Sequence, residues 1–149
     1  FDPLKRVHVG DNLLFSTGGD IRNRYENRDN DRLTNADNTF NLSRARVYGD
    51  LWYKDVLRVY AEGIFAFSSG EELTPLFIDE NYADFLNLFV DVKAGELKGK
   101  PVYVRTGRQE LLFGSQRLVS PLDWANTRRT FQGVRGMWQG EKVTADVFW

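Results

Sequence analysis

Arginines recur two residues apart in this chain, as Arg22 and Arg24 and again as Arg44 and Arg46, with Arg58, Arg105, Arg108 and Arg135 further on. Carboxylates interleave with them as Asp20, Glu26, Asp50 and Glu62. A spacing of two puts side chains on one face of a β-strand, so each pair forms a row of fixed positive charge. A guanidinium stays protonated at any relevant pH, and its planar fork fits a carboxylate or phosphate through two hydrogen bonds. The chemistry open to such rows is anion recognition, with the interleaved carboxylates competing for the guanidinium groups and keeping any single contact weak. Asp20 with Glu26, or Asp50 with Glu62, has a second reading as the acid and base of a glycosidase.

Composition removes other chemistry. The chain has 149 residues, no cysteine and one histidine, which excludes disulfide scaffolds, thiolate zinc sites, iron–sulfur clusters and cysteine nucleophiles. His8 alone cannot supply a Ser-His-Asp triad or a multi-histidine metal site, and it is expected at the surface. No catalytic residue, metal or cofactor is therefore assigned. Twenty Lys and Arg against 21 Asp and Glu give a net charge of −1, with no basic block, so nucleic acid is not an expected partner. Gly18, Gly19, Gly49 and Gly63 fall within strands rather than before a helix, so they form no phosphate loop.

Seven stretches alternate with period two and must position these charges. In 13–26, Leu13, Phe15, Thr17, Gly19, Ile21 and Tyr25 share one face, with Asp20, Arg22, Arg24 and Glu26 opposite. In 40–53, Ala45, Val47, Gly49, Leu51 and Tyr53 oppose Arg44, Arg46, Tyr48, Asp50 and Trp52. In 57–68, Leu57, Val59, Ala61, Gly63, Phe65 and Phe67 oppose Arg58, Tyr60 and Glu62, with Ile64 and Ala66 blurring the contrast. In 84–93, Leu86, Leu88, Val90 and Val92 oppose Phe85, Asn87, Phe89 and Asp91. The fifth strand starts at Val102, and a bulge expected at Gly107 turns Arg108 and Glu110 to the charged side. Strands at 134–139 and 143–149 complete the set. If the turn at Lys54 is tight, Asp50 lies opposite Tyr60 and diagonally near Arg58.

Connections alternate long and short, which in a meander gathers the long loops at one end and the tight turns at the other. A mean hydropathy of −0.47 suits a soluble protein, but also a transmembrane barrel, half of whose strand residues face a wet lumen. No run of about 18 apolar residues provides a transmembrane helix. The amino-terminal residues lack a signal-peptide layout, so the chain is expected to be mature or cut. The pattern predicts an all-β, antiparallel, up-and-down transmembrane β-barrel, partial, with about seven strands of a larger barrel in a single domain over residues 1–149. A small complete barrel closed by Trp149 requires one strand more. A soluble β-sandwich is the competing architecture; arginine rather than lysine inside the strands, and aromatics Tyr25, Tyr53, Phe67, Trp138 and Trp149 at apolar-face ends, favour the barrel. In a membrane, a one-residue slip would turn Arg22, Arg24, Arg44 and Arg46 to lipid at about 2–4 kcal/mol each near the midplane. That sum is on the scale of the about 5–15 kcal/mol that stabilises a typical domain.

GGDIRNRYE at 18–26, ARVYGDLWY at 45–53, NLFVDVK at 87–93 and above all VRTGRQELLFGSQRLVSPLDWANTRRTFQGVR at 104–135 resemble the alginate export family of Gram-negative outer-membrane proteins. The resemblance covers nearly the whole chain and roughly the amino-terminal third of a family domain of about eighteen strands. It implies a passive channel that exports an anionic polyuronate through an arginine-lined lumen. Arg22, Arg24, Arg44, Arg46, Arg105 and Arg108 then face the lumen, while Arg117, Arg128 and Arg129 fall in the third long loop and line its mouth. Arg58 and Arg135, with Asp20, Glu26, Asp50 and Glu62, complete the candidate substrate-binding set. Trp124 in that loop is either a sugar-stacking platform or a loop anchor. Expected partners are an anionic polysaccharide or other anionic solute, outer-membrane lipid and a periplasmic export partner. A general porin for small solutes and a soluble β-sandwich carbohydrate-binding module are the alternative functions.

Overall fold

The computed structural model describes residues 5–149. They form one antiparallel sheet in which every strand pairs with its neighbour in sequence. The strands are β1 (Val7–Val9), β2 (Leu13–Arg28), β3 (Asn38–Tyr53), β4 (Leu57–Ser69), β5 (Asn81–Leu97), β6 (Lys100–Gln109), β7 (Phe131–Gln139) and β8 (Thr144–Phe148). A 3-10 turn at Asp31–Leu33 is the only helical segment among the described residues, and no helix is long and apolar enough to cross a membrane.

Eight strands stand where seven were expected, because β1 is three residues long and too short to display a period. It pairs through Val7 with Phe15, and exposed His8 lies opposite Leu14. β1 and β8 are the two edges of an open sheet, so eight strands do not close into a small barrel. No second sheet packs on this one among the described residues, as a β-sandwich would require.

Burial runs opposite to that of a water-soluble sheet. On the apolar face Ile21 is 87% exposed, Val47 64% and Val147 74%, whereas Arg44 on the charged face is 4% exposed. The charged face lines the sheet's inner side and the apolar face looks outward.

Expected parity fails at one place on β5. Glu62 pairs with Asn87 while Gly63 pairs with Phe85, so Leu86 is an extra residue in a bulge. The bulge carries Phe85 to the outer face, where it is 54% exposed, and turns Leu86 inward beside Ile64 and Ala66. The sequence assigned these two residues to the opposite faces. Phe40 and Leu42, on the parity of Arg44, are buried on the same inner face near the long loops, as are Leu111 and Ala125 from the third long loop. A small apolar core therefore sits inside the sheet's curve at the long-loop end, and the loop folds onto it.

Candidate functional site: an arginine face under a folded loop

Toward the tight turns, the inner face is an alternating network of charges running diagonally across strands. Arg58 on β4 donates to both oxygens of Asp50 on β3, at 2.7 and 3.0 Å. The expected opposition of Asp50 and Tyr60 is present in the ladder. Arg58 also lies 3.5 Å from Asp91 on β5, which accepts two hydrogen bonds from Arg105 on β6, at 2.6 and 2.9 Å. Arg105 is directly opposite Arg135 on β7, whose charge goes to Asp146 on β8 at 2.8 Å. Stacked rings of Tyr48, Tyr60 and Phe89 support the network, with the Arg105 guanidinium 3.6 Å above Phe89. Higher up, Arg46 donates to Asp20 at 2.7 Å and lies 3.5 Å from Glu62, which accepts from Asn87. Arg24 pairs with Glu26 at 2.5 Å. Each carboxylate offered as half of a glycosidase pair is thus in contact with a guanidinium.

Near the long loops this pairing fails at Arg22. Arg22 and Arg44 are Cα partners, and among the described residues Arg22 has no carboxylate within ion-pair distance. Backbone carbonyls of the third loop take the carboxylates' place. Arg22 donates to Asp123 O and Ala125 O at 2.8 and 2.7 Å, and Arg24 to Trp124 O at 2.6 Å. Arg44 reaches Asp123 Oδ1 at 3.3 Å, while its Nε and Nη1 are buried without a hydrogen-bond partner among the described residues. Asn126, fully buried, fixes the loop from the other side: its amide donates to Ser43 O, Asp79 O and Phe67 O at 3.0, 2.9 and 3.3 Å. Arg128 contacts Glu110 and Asp123. Burial pushes the Asp123 carboxyl up, but the guanidinium groups of Arg128 and Arg44 outweigh it and hold the carboxyl below its ordinary value. Burial of Asp79 outweighs the Leu76 amide and the charges of Arg28 and Arg32 and raises its carboxyl.

The third loop therefore lies on the inner face instead of forming an open rim. Of its expected mouth residues, Arg128 is part of the loop's own charge network, Arg117 sits beside Phe113 and Phe148, and Arg129 has no ion pair among the described residues. Trp124 is an exposed loop residue; the anchoring falls to its carbonyl and to Asn126. Arg108 departs from expectation. The β5–β6 ladder runs through Gly107 without a shift, aligning Arg108 with Leu88 and Gln132. Without the expected bulge Arg108 keeps the outer parity, and it binds Asp84 at 3.0 and 2.8 Å and Thr130 at 2.8 Å. Sequence reasoning missed Asp91, Asp123, Asn126 and the loop carbonyls as partners of the arginines. The apolar Phe40 and Leu42 on the charged parity were the available signal, since a wet inner face has no use for them unless something covers them.

A family model described as Alginate export matches residues 14–149. The chain belongs to the alginate export family. The match takes in β2 to β8 and all three long loops, and so the whole arginine face. Alginate export is a transport function, and the alginate export family is one of outer-membrane β-barrels. No curated protein and no solved structure matches the chain.

Proposed function

We propose that these strands form part of the wall of an outer-membrane channel that passes an anionic polysaccharide of the alginate type, with the arginine face turned to the lumen and the apolar face to lipid. Inverse burial carries this reading: an apolar face as exposed as Ile21 and Val47, backing a face that buries Arg44, is stable where the outer solvent is hydrocarbon and the inner one is water.

The dimensions agree. Outward residues are free of charged and amide side chains from Leu13 up to Asn23 on β2 and from Tyr53 up to Ser43 on β3, while Arg108 ends the stretch on β6 and Gln132 on β7. About ten residues at about 3.3 Å each, tilted by about 40°, rise about 25 Å, the height of a barrel's apolar band. Long loops then face outward and tight turns the periplasm. A polyuronate offers one carboxylate per sugar, and an exporter must bind each weakly enough to release it. Arginines already shared with Asp20, Asp50, Glu62 and Asp91 provide many weak sites rather than one strong one. Arg22, compensated by loop carbonyls alone, and its neighbour Arg44, two of whose nitrogens are buried without a partner among the described residues, hold the least balanced charge and set the anion preference.

Single cysteines at Val47 and Arg46 in the whole protein, in native membranes, test the reading with a membrane-impermeant thiol reagent. Labelling at 46 with protection at 47 is expected. Labelling at both, in protein that fractionates as soluble, would sink the channel. Block of the single-channel current by polyuronate distinguishes export from a general porin.

A further inference from the structure

Lysine and arginine are segregated along the strands. Of six lysines, Lys54, Lys93, Lys98, Lys100 and Lys142 lie in or beside the tight turns, and none lies in the long loops. Lys93 is engaged with Asp55 and Glu96 at 2.7 and 2.9 Å. Lys98, Lys100 and Lys142 have no ion pair among the described residues. All three line one cleft of about 370 Å³, between the β5–β6 and β7–β8 turns, together with Trp138, Gly140, Glu141 and Val143.

The cleft is shaped. Trp138 donates its indole N–H to Leu97 O at 3.0 Å, which ties one turn to the other. Gly140 makes room for the ring, since a Cβ there would stand 2.7 Å from Cη2 of Trp138. Lys98 and Gly99 both adopt positive φ, +52° and +71°, a two-residue turn for which Asn-Gly is the cheaper sequence. A lysine at this strained position places an ammonium over the cleft.

We propose that this cleft binds the phosphate of an anionic phospholipid headgroup in the periplasmic leaflet. Three unpaired ammonium groups against Glu141 leave the cleft positive. It opens beside Trp138 and Val143, continuous with the outward apolar face of Val102 and Ala145, so an acyl chain can follow that face. The polyuronate route is on the opposite side of the sheet. Lysines suit this duty because a mobile point charge on an apolar stem reaches a headgroup from the membrane boundary. The site rests on the channel reading, which puts the tight turns at the periplasmic boundary.

The test uses the whole protein reconstituted in nanodiscs of equal phosphatidylglycerol and phosphatidylethanolamine, with retained lipid measured by native mass spectrometry. About tenfold preference for phosphatidylglycerol is expected, lost in the K98Q/K100Q/K142Q variant and kept in K54Q. Inorganic phosphate at millimolar concentration leaves the lipid in place. An inserted, conducting channel without that preference, or with it intact in the triple variant, overturns the site while leaving the channel reading standing. Displacement of the lipid by inorganic phosphate makes it a free-anion site and also overturns it. Protein that fails to insert overturns both.

Discussion

Arg22 and Arg44 face each other across the β2–β3 ladder, two guanidinium groups on one side of the sheet, and the third loop's backbone lies between them and solvent. Direct opposition of like charges costs roughly 0.2–1 kcal/mol. The two hydrogen bonds from Arg22 to Asp123 O and Ala125 O, each from a charged donor, contribute about 1.5–3 kcal/mol apiece. The loop contacts win. Arg22→Gln is therefore expected to loosen the loop despite relieving the repulsion, raising single-channel conductance while lowering anion preference. Planar-bilayer recordings under a salt gradient read both. Unchanged conductance and reversal potential together would mean that Arg22 neither holds the loop nor selects the ion.

Asn126 makes a sharper case, because one amide serves three carbonyls on different elements. Asn126→Ala leaves those carbonyls short of a donor, at about 1–3 kcal/mol for each that stays buried. Asn126→Asp keeps the shape but points carboxylate oxygens at carbonyl oxygens, which is worse. Trypsin cleavage after Arg128 and Arg129 in the folded channel is expected to quicken in the order wild type, Ala, Asp. An Asp variant as resistant as wild type would show that the amide is not the clamp.

Gly107 holds the β5–β6 ladder in register with a φ of +128°, and a Cβ there would stand 2.3 Å from Leu88 O. Gly107→Ala meets both obstacles, with the backbone conformation alone costing about 1–3 kcal/mol. Gly136→Ala is the control, since its Cβ would be 3.9 Å from Val147 O, an ordinary contact. Loss of the heat-modifiable folded band on a gel, and lower yield in the outer membrane, are expected for position 107 alone. Equal folding of both variants would disprove the strain.

Most of the sheet was legible in the sequence because alternation separates the two faces of a strand, and on β2 and β3 those faces differ at nearly every step. Legibility failed where that contrast was weak. Phe85 and Leu86 are adjacent and both apolar, so no pattern announces that one is an inserted residue. At Gly107 a glycine suggested a bulge, but a positive φ let the ladder continue and left Arg108 outward. The loop's inward fold depends on contacts such as Asn126 with Ser43, far apart in sequence, which periodicity cannot encode. Only the apolar Phe40, Leu42, Ile64 and Ala66 on the charged parity hinted at it.

Asp123 makes the loop's attachment depend on pH. Its folded carboxyl lies below the ordinary 3.8 because Arg128 and Arg44 outweigh its desolvation. A depressed carboxylate contributes stability that is present above the unfolded pKa and is lost as pH falls through the folded one. The third loop is therefore expected to be held fully at neutral pH and to loosen only in acid. Asp79, in the β4–β5 loop that Asn126 ties to the third, acts the other way: its raised carboxyl favours its own folded loop at low pH, and that contribution is lost as pH rises through its folded value. The two are separable by mutation. Asp123→Asn is expected to give at neutral pH the higher conductance that wild type reaches only in acid, and to flatten that acid rise. Asp79→Asn removes a buried charge and is expected to make the β4–β5 loop more protease-resistant at neutral pH. An acid rise in conductance that survives Asp123→Asn would assign the titration to another group.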